Sequence, residues 1–212
     1  VGEPEVSYLS SGRPAVYIDE IKGVGAITEV LFVEKNRLVN PLMNAESRET
    51  LATLRSAGIT SKDINGDGII EIPVQENVPS LTKSSLNEKL YLTNWCSYNG
   101  ETLTGQLTTM INSDDGYYYI LSQKWAGQIA VLKDTDNRLR EIYVYNSENS
   151  LAGEMLVSFK TVTLADRSSE AYAEYSEITQ DEISVYLCKI SETAAAKGIT
   201  LETIRENFKL TE

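Results

Sequence analysis

Histidine is absent from the 212 residues of this chain. Its absence removes the most common general base of enzymes and the most common side-chain ligand of transition metals. A Ser-His-Asp or Cys-His catalytic arrangement is therefore excluded within the chain, and a zinc site would have no imidazole ligand.

Cysteine is scarce, since only Cys96 and Cys188 are present. Their separation fits no metal-binding knuckle. They can form one disulfide bond or remain two buried thiols, and the distance between their Cα atoms decides between these states. Because two cysteines are too few for a disulfide framework in a chain of this length, we expect free thiols.

Basic residues are fewer than acidic ones: 19 Lys and Arg against 31 Asp and Glu give a net charge of −12. Nucleic-acid binding depends on cationic side chains that neutralise phosphates, so we expect no nucleic acid as a partner. The same charge disfavours docking on an anionic membrane surface. No apolar run approaches the ~20 residues of a membrane span, so we also expect no membrane-spanning segment.

Short segments rich in β-branched and aromatic residues, separated by turn residues, dominate the chain. This pattern predicts β-strands at residues 14–19, 26–33, 37–39, 69–72, 89–98, 102–111, 117–121, 125–132, 140–145, 154–162 and 183–190. Short helices are predicted at 191–197 and 201–208, where Gly198 is placed to end the first and Thr200 to cap the second. Residues 45–56 fit either a short helix or an extended segment. The expected fold class is therefore α+β, mainly β.

Turn and linker residues predict how these strands connect. Lys35-Asn36 and Asn99-Gly100 indicate tight turns, and the second pair is typical of a type I′ hairpin. The polar stretch from Gln75 to Glu88 is typical of a linker. We therefore expect a blade-like antiparallel domain in residues 1–75, a linker in 76–88, and an antiparallel α+β domain with short helices on one side in 89–212.

The segment Asp63-Ile64-Asn65-Gly66-Asp67-Gly68-Ile69-Ile70-Glu71 is the most informative motif. Counted from Asp63, oxygen-bearing side chains occupy positions one, three, five and nine, and Gly68 occupies position six, where a calcium loop turns sharply. Calcium is a hard cation that prefers carboxylate, amide and carbonyl oxygens. We therefore predict a structural calcium site whose ligands are Asp63, Asn65, Asp67, Glu71 and the carbonyl oxygen of Ile69.

A second interpretation of the same segment stays open. Position twelve is Val74, where an EF-hand requires a bidentate glutamate, and the residues after the loop favour a strand rather than a helix. Asn65-Gly66 and Asp67-Gly68 also form turns in their own right. The segment can therefore be a tight turn with exposed acids and no metal.

The loop, with the Ile72-Pro73 that follows it, resembles the calcium loops of FG-GAP/VCBS repeats, the blade units of integrin-like β-propellers. Other segments resemble the C-terminal half of uncharacterised lipoproteins from Gram-positive gut bacteria; they are residues 15–19, 26–30, 40–42, 53–55, 95, 98–100, 115–118 and 125–127. The resemblance spans most of residues 1–160 and implies a secreted or lipid-anchored, extracytoplasmic protein with no established activity. It also implies a missing N-terminal region as a partner, and Val1-Gly2-Glu3-Pro4 is typical of the middle of a longer protein. Since only one such loop is present, the chain cannot close a propeller alone.

Aromatic residues concentrate between Trp95 and Trp125. Flat aromatic faces stack on sugar rings and anchor protein interfaces, so we select candidate contacts for an unknown protein or carbohydrate ligand: Trp95, Tyr98, Tyr118 and Trp125. The alternative is cross-strand packing within a sheet. Alternation sends Tyr117 and Tyr119 to one face of a strand and Tyr118 to the other, and we expect at least one of these faces to be core.

Three functions are compatible with these features, and the sequence predicts no catalytic residue. The leading hypothesis is a non-enzymatic extracytoplasmic binding or adhesion module with a structural calcium loop, which an exposed aromatic patch beside a groove would favour. The alternative is an accessory domain of a larger cell-envelope enzyme, which a broad apolar surface near Val1 would favour. A carbohydrate-active hydrolase comes last, because it requires two facing carboxylates in a deep pocket.

Overall fold

The computed structural model describes residues 2–81, 90–125, 127–146 and 151–211. Antiparallel β-sheet is the main secondary structure of these ranges, which also contain two short α-helices. The expected α+β, mainly β class is confirmed. No helix in the described ranges is both long enough and apolar enough to cross a membrane.

The strands and helices alternate with short turns along the chain. The strands are β1 (Glu5–Tyr8), β2 (Pro14–Lys22), β3 (Gly25–Glu34), β4 (Arg37–Val39), β5 (Arg55–Ser56), β6 (Ile72–Val78), β7 (Leu90–Tyr98), β8 (Leu103–Asn112), β9 (Tyr117–Leu121), β10 (Ile129–Asp134), β11 (Leu139–Asn146), β12 (Leu151–Thr163), β13 (Ser176–Gln180), β14 (Ser184–Ile190) and β15 (Phe208–Leu210). The α-helices are α1 (Glu192–Ala196) and α2 (Leu201–Asn207). Single 3₁₀ turns occur at Leu51–Thr53, Gln123–Trp125, Leu164–Asp166 and Glu170–Tyr172.

The chain divides into two compact units. Unit 1 comprises Val1–Glu76 and Thr93–Thr109, and unit 2 comprises Asn77–Leu92 and Met110–Glu212. This division differs from the predicted domains because Thr93–Thr109, which lies in the predicted second domain, belongs to unit 1. Within the predicted linker, residues 76–78 continue strand β6, and residues 82–88 lie outside the described residues.

Unit 1 contains a sheet with the strand order β1-β2-β3-β4, with β5 paired to β3. The sheet therefore has five strands, one more than a four-stranded β-propeller blade. Lys35 and Asn36 both have positive φ angles, and they join β3 to β4 as the predicted two-residue turn. Along β2 and β3, inward side chains alternate with outward ones, and the inward ones are Ala15, Tyr17, Val30 and Phe32. They form the core of this unit together with Leu9, Ile70, Ile72 and Tyr98.

Unit 2 contains a sheet with the order β10-β11-β12-β14-β13, against whose side chains α1 and α2 pack. Helix α2 begins at its predicted cap, where Thr200 accepts a hydrogen bond from the Thr203 N–H. Helix α1 is capped by Ser191, which was predicted as its first residue and accepts a hydrogen bond from the Ala194 N–H. Buried aromatic rings form the centre of the core, where Tyr117 and Phe208 stack with ring centroids 4.6 Å apart.

A third sheet has the order β15-β9-β8-β7-β6. The hairpin between β7 and β8 corrects the predicted turn: Tyr98 pairs with Leu103, so four residues rather than two form the connection. Only Gly100 has a positive φ angle there, whereas a type I′ turn needs two such residues. Instead the Asn99 side chain accepts hydrogen bonds from the N–H groups of Glu101 and Thr102, at 2.8 Å each.

Two other segments clarify the predicted secondary structure. Residues 45–56 contain only the 3₁₀ turn Leu51–Thr53 and the two-residue strand β5, so neither interpretation describes the whole segment. The strand predicted from residue 125 begins at Ile129 instead, because Gln123–Trp125 forms a turn in which the Trp125 N–H donates to the Ser122 carbonyl oxygen.

A buried polar network in unit 1 centres on Asp19 of β2. Its Oδ1 accepts hydrogen bonds from Arg55 Nη2 at 2.6 Å and Thr28 Oγ1 at 2.7 Å, and its Oδ2 accepts one from the Ser61 N–H at 2.7 Å. The Arg55 side chain is fully buried and also donates to the Ile59 carbonyl oxygen at 2.6 Å. The network therefore attaches the sheet to the segment that leads into the calcium-type loop.

Replacing Asp19 with alanine is expected to lower the free energy of unfolding by about 3–5 kcal/mol, because it leaves a buried guanidinium without its carboxylate. The matched control is Glu34→Ala, which removes a carboxylate from an exposed pair with Arg13 and is expected to cost about 0–1 kcal/mol. Urea unfolding measures both variants. Similar losses in the two would contradict a stabilising role for the buried network.

Candidate functional site

The calcium-type loop Asp63–Glu71 lies between β5 and β6 in unit 1. Its two ends are joined by an antiparallel bridge in which Lys62 and Glu71 exchange backbone hydrogen bonds of 3.1 and 3.0 Å. Gly66 and Gly68 have φ angles of +79° and +85°, a conformation that favours glycine. The sharp turn predicted at position six is therefore present.

Asp63 organises the interior of the loop. Its Oδ1 accepts hydrogen bonds from the N–H groups of Gly66 at 2.7 Å and Asp67 at 3.1 Å, and its Oδ2 accepts one from the Gly68 N–H at 2.8 Å. Desolvation raises the pKa of Asp63, but these backbone donors outweigh it and hold the pKa below its ordinary value. The carboxylate is therefore ionised at neutral pH and its charge is directed into the loop.

Asn65 links the remaining acids of the loop. Its Oδ1 accepts a hydrogen bond from the Asp67 N–H at 2.9 Å, and its Nδ2 donates to Asp67 Oδ2 at 3.1 Å and to Glu71 Oε1 at 3.3 Å. Asp67 Oδ1 in turn accepts from the Ile69 N–H at 2.8 Å. All the side chains predicted to contribute to the site are thus brought together in one hydrogen-bonded loop.

Glu71 is the unusual member of this group, since the residue is 0% exposed. Its Oε2 accepts a hydrogen bond from the Ile64 N–H at 3.2 Å. Burial raises the pKa of Glu71 to about 7, opposed by the Ile64 hydrogen bond and reinforced by the negative charges of Asp67 and Asp63. Burial and the two neighbouring carboxylates therefore both disfavour the ionised form of this carboxyl.

The chemistry of these groups suits calcium, because carboxylate, amide and carbonyl oxygens are its preferred ligands. In the structure, however, hydrogen bonds order the loop, as the second interpretation expects. Within the described ranges, no three His, Cys, Asp or Glu side chains lie close enough together to form a metal-binding group. Val74, at position twelve, lies in strand β6, so the loop leads into a strand and not into an EF-hand helix. Calcium binding stays a prediction.

The candidate aromatic residues do not share one environment. Trp95 and Tyr98 are buried in unit 1, and the Trp95 indole N–H donates to Thr109 Oγ1 at 2.9 Å. Their burial is evidence against a direct role in ligand contact and supports the packing alternative. Tyr118 and Trp125 belong to unit 2 and are half-buried. On β9 the rings alternate as predicted, with Tyr117 and Tyr119 in the core.

A cavity of about 390 Å³ in unit 2 is lined by three acids, which tests the hydrolase hypothesis. Each acid already has a partner: Asp114 with Arg140 at 3.0 Å, Asp115 with Arg138 at 2.6 Å, and Asp181 with the Tyr186 hydroxyl at 2.7 Å. Hydrogen bonds from the Ile183 N–H and the Tyr186 hydroxyl lower the pKa of Asp181. A glycosidase general acid needs a raised pKa, so this cavity does not support a hydrolase.

Cys96 and Cys188 are both buried free thiols, which confirms the expected state. Burial raises the pKa of each thiol, that of Cys188 to about 11. A nucleophilic cysteine requires a lowered pKa and partial exposure. Neither thiol therefore has the properties of a catalytic group.

Unit 2 also contains a larger cavity of about 720 Å³. Of the residues that line it, only Trp125 was selected from the sequence as a candidate ligand contact. Its walls come from three separate parts of the chain: residues 119–129, the strand residues Val144 and Leu156, and residues 197–207. No local motif marks these residues, because only the folded unit brings them together.

The chain matches no protein-family model, no curated protein and no solved structure. The resemblance to FG-GAP/VCBS loops therefore stays a prediction that depends mainly on Asp63–Glu71. No activity is transferred to this chain from a known protein.

Glu71 predicts how stability depends on pH in the presence of a chelator. In the unfolded chain the carboxyl ionises at its ordinary pKa of 4.5, and in the folded chain at about 7. Between these values the folded state keeps a proton that the unfolded state has released, so the free energy of unfolding falls as pH rises. We expect this fall to approach about 3 kcal/mol.

The variant Glu71→Gln should lack this fall, because its neutral amide cannot ionise but can still accept the hydrogen bond from Ile64. Urea unfolding at pH 5, 6, 7 and 8 measures the difference between the two proteins. A wild-type curve parallel to that of the variant would show that Glu71 does not titrate in this window.

Proposed function

We propose that this chain is an extracytoplasmic, non-enzymatic binding module whose unit 1 is stabilised by calcium at the loop Asp63–Glu71. The observation that carries the proposal is that Asp63, Asn65, Asp67 and the fully buried Glu71 belong to one hydrogen-bonded loop. Asp63, Asn65, Asp67, Glu71 and the Ile69 carbonyl oxygen would hold the ion, whose positive charge would offset the carboxylates of this loop. The role is structural, so no reaction step is assigned to the metal.

The proposed extracytoplasmic location follows from the expected calcium affinity of the loop. A loop without the glutamate at position twelve should bind weakly, with a Kd of ~10⁻⁴ to 10⁻³ M, which is the range of extracellular calcium modules. Such a site would be filled outside the cell, where calcium is abundant, and would stay largely empty in a cytosol. Trp125, which is half-buried and lines the larger cavity of unit 2, supports binding as the role of the module.

Calcium is expected to stabilise the wild-type protein against heat. At a concentration tenfold above Kd the binding contributes about 1.4 kcal/mol, which raises the Tm of a chain of this size by about 3–6 °C. Differential scanning calorimetry at pH 7.5, in calcium and then in chelator, measures this shift. Magnesium at the same concentration controls for ionic strength.

The variant Asp67→Asn separates calcium binding from turn formation. Asparagine can still accept the hydrogen bond from the Ile69 N–H, but it removes one negative charge from the loop. We expect the Tm in chelator to be unchanged or higher and the calcium shift to be lost. The matched control Asp136→Asn, at an exposed turn of unit 2, should keep the full shift. An equal shift in Asp67→Asn and wild type would contradict the proposed site.

A second candidate function, an accessory domain of a larger cell-envelope enzyme, is favoured by the outer face of the first sheet. Val6, Val33 and Leu38 are large apolar side chains that are mostly exposed. They lie in rows across the sheet: Val6 is opposite Val16, Val16 is opposite Leu31, and Val33 is opposite Leu38. Contiguous apolar surface of this kind marks a protein interface more often than scattered residues do.

Two valines on the same strand test whether the outer face is available to a partner or stabilises the folded chain itself. Val33 is 61% exposed and Val30 is 0% exposed, and both lie on β3. Val33→Ser is expected to change the free energy of unfolding by less than about 0.5 kcal/mol, whereas Val30→Ser should cost about 2–4 kcal/mol. Urea unfolding measures both. A loss above about 1 kcal/mol in Val33→Ser would show that the outer face stabilises the chain itself.

A further inference from the structure

The larger cavity of unit 2 has the size of a small-molecule site. Its volume of about 720 Å³ falls within the range of roughly 300–1,000 Å³ that is typical of ligand pockets. It is bounded by the end of β9, by the turn that follows it, and by the segment from Lys197 through α2. These elements all belong to one compact unit.

Part of the cavity wall is apolar. Leu121, Ile129 and Leu156 are core residues that also line the cavity. Trp125 packs against the same core but is only partly buried, and it also lines the cavity. An indole ring beside aliphatic side chains favours a flat apolar group.

A mostly buried tyrosine belongs to this wall. Tyr119 is only 4% exposed and lines the cavity. Burial raises the pKa of Tyr119, so the hydroxyl remains a hydrogen-bond donor at neutral pH. A tyrosine hydroxyl that lines a cavity can donate a hydrogen bond to a bound molecule, so this group favours a ligand that carries an acceptor.

The charge of the lining is opposite to that of the chain. Lys124 and Lys197 both line the cavity, and neither forms an ion pair with another residue in the described ranges. None of the described residues that line the cavity is acidic, although the chain carries a net charge of −12. Two ammonium groups beside an apolar wall favour an anionic ligand.

We infer that this cavity binds a small organic carboxylate. The flat apolar body of the ligand would contact Trp125 and the aliphatic wall, and its carboxylate would be held by Lys124 and Lys197. The Tyr119 hydroxyl would donate a hydrogen bond to a carboxylate oxygen. The inference rests on the proposed binding function and names its ligand class, but it involves no residue of the calcium-type loop.

Isothermal titration calorimetry with 2-naphthoate and 2-naphthamide tests the inference, because these probes share the same apolar body and differ in charge. We expect 2-naphthoate to bind one site per chain at least about tenfold more tightly than the amide. Equal affinities for the two probes, or no saturable binding of 2-naphthoate up to about 10 mM, would overturn the inference.

Variants locate the binding. Lys124→Ala combined with Lys197→Ala should weaken 2-naphthoate at least about fivefold and leave 2-naphthamide unchanged. Tyr119→Phe should weaken 2-naphthoate several-fold while keeping the Tm. The control Lys209→Ala removes the same charge from an exposed position of β15 that does not line the cavity, and should bind as wild type. Unchanged 2-naphthoate binding in the double lysine variant would contradict the assignment.

The titration can fail without affecting the calcium test, and the reverse also holds. A calcium shift without 2-naphthoate binding would remove this ligand class and keep the structural metal site of unit 1. Binding of 2-naphthoate without a calcium shift would remove the metal site and keep the cavity. The two results therefore identify which of the two proposals is wrong.

Discussion

The buried carboxyl of Glu71 is the constraint on which unit 1 depends. The residue stands between Ile70 and Ile72, which are both core side chains, so its charge cannot move to the surface without disturbing that core. Its backbone closes the loop through Lys62, and its side chain faces the acids of the loop. A charge in this place requires a proton or a cation for balance. The stability of unit 1 is therefore coupled to the chemistry of one loop.

The two interpretations of the loop involve the same oxygen atoms. In the structure, the Asp63 carboxylate accepts three backbone hydrogen bonds, and Asn65 and Asp67 each accept one more. These bonds define an ordered turn. Preorganisation lowers the cost of ligand binding because the loop is already ordered. A hydrogen-bonded turn and a weak structural calcium site are thus compatible properties of one segment.

Features that depend on local chemistry were predictable from the sequence, and features that depend on distant contacts were not. Strand alternation placed Tyr117 and Tyr119 on one face of β9, which lies in the core, and Gly68 marked the turn of the loop. The Asn99-Gly100 signal failed because the Asn99 side chain bonds the N–H groups of two following residues and forms a longer turn. Asp19 pairs with Arg55, and the cavity beside Trp125 is lined by residues far apart in the chain. No local sequence motif predicts either feature.

Direct titration of calcium into the chelator-treated protein at pH 7.5 tests the central claim most directly. The account predicts one site per chain with a Kd of ~10⁻⁴ to 10⁻³ M by isothermal titration calorimetry. It also predicts that NMR shift changes at saturation concentrate on the backbone amides of Gly66, Asp67 and Gly68. No saturable binding up to about 10 mM calcium, or shift changes confined to other acidic segments, would contradict the account.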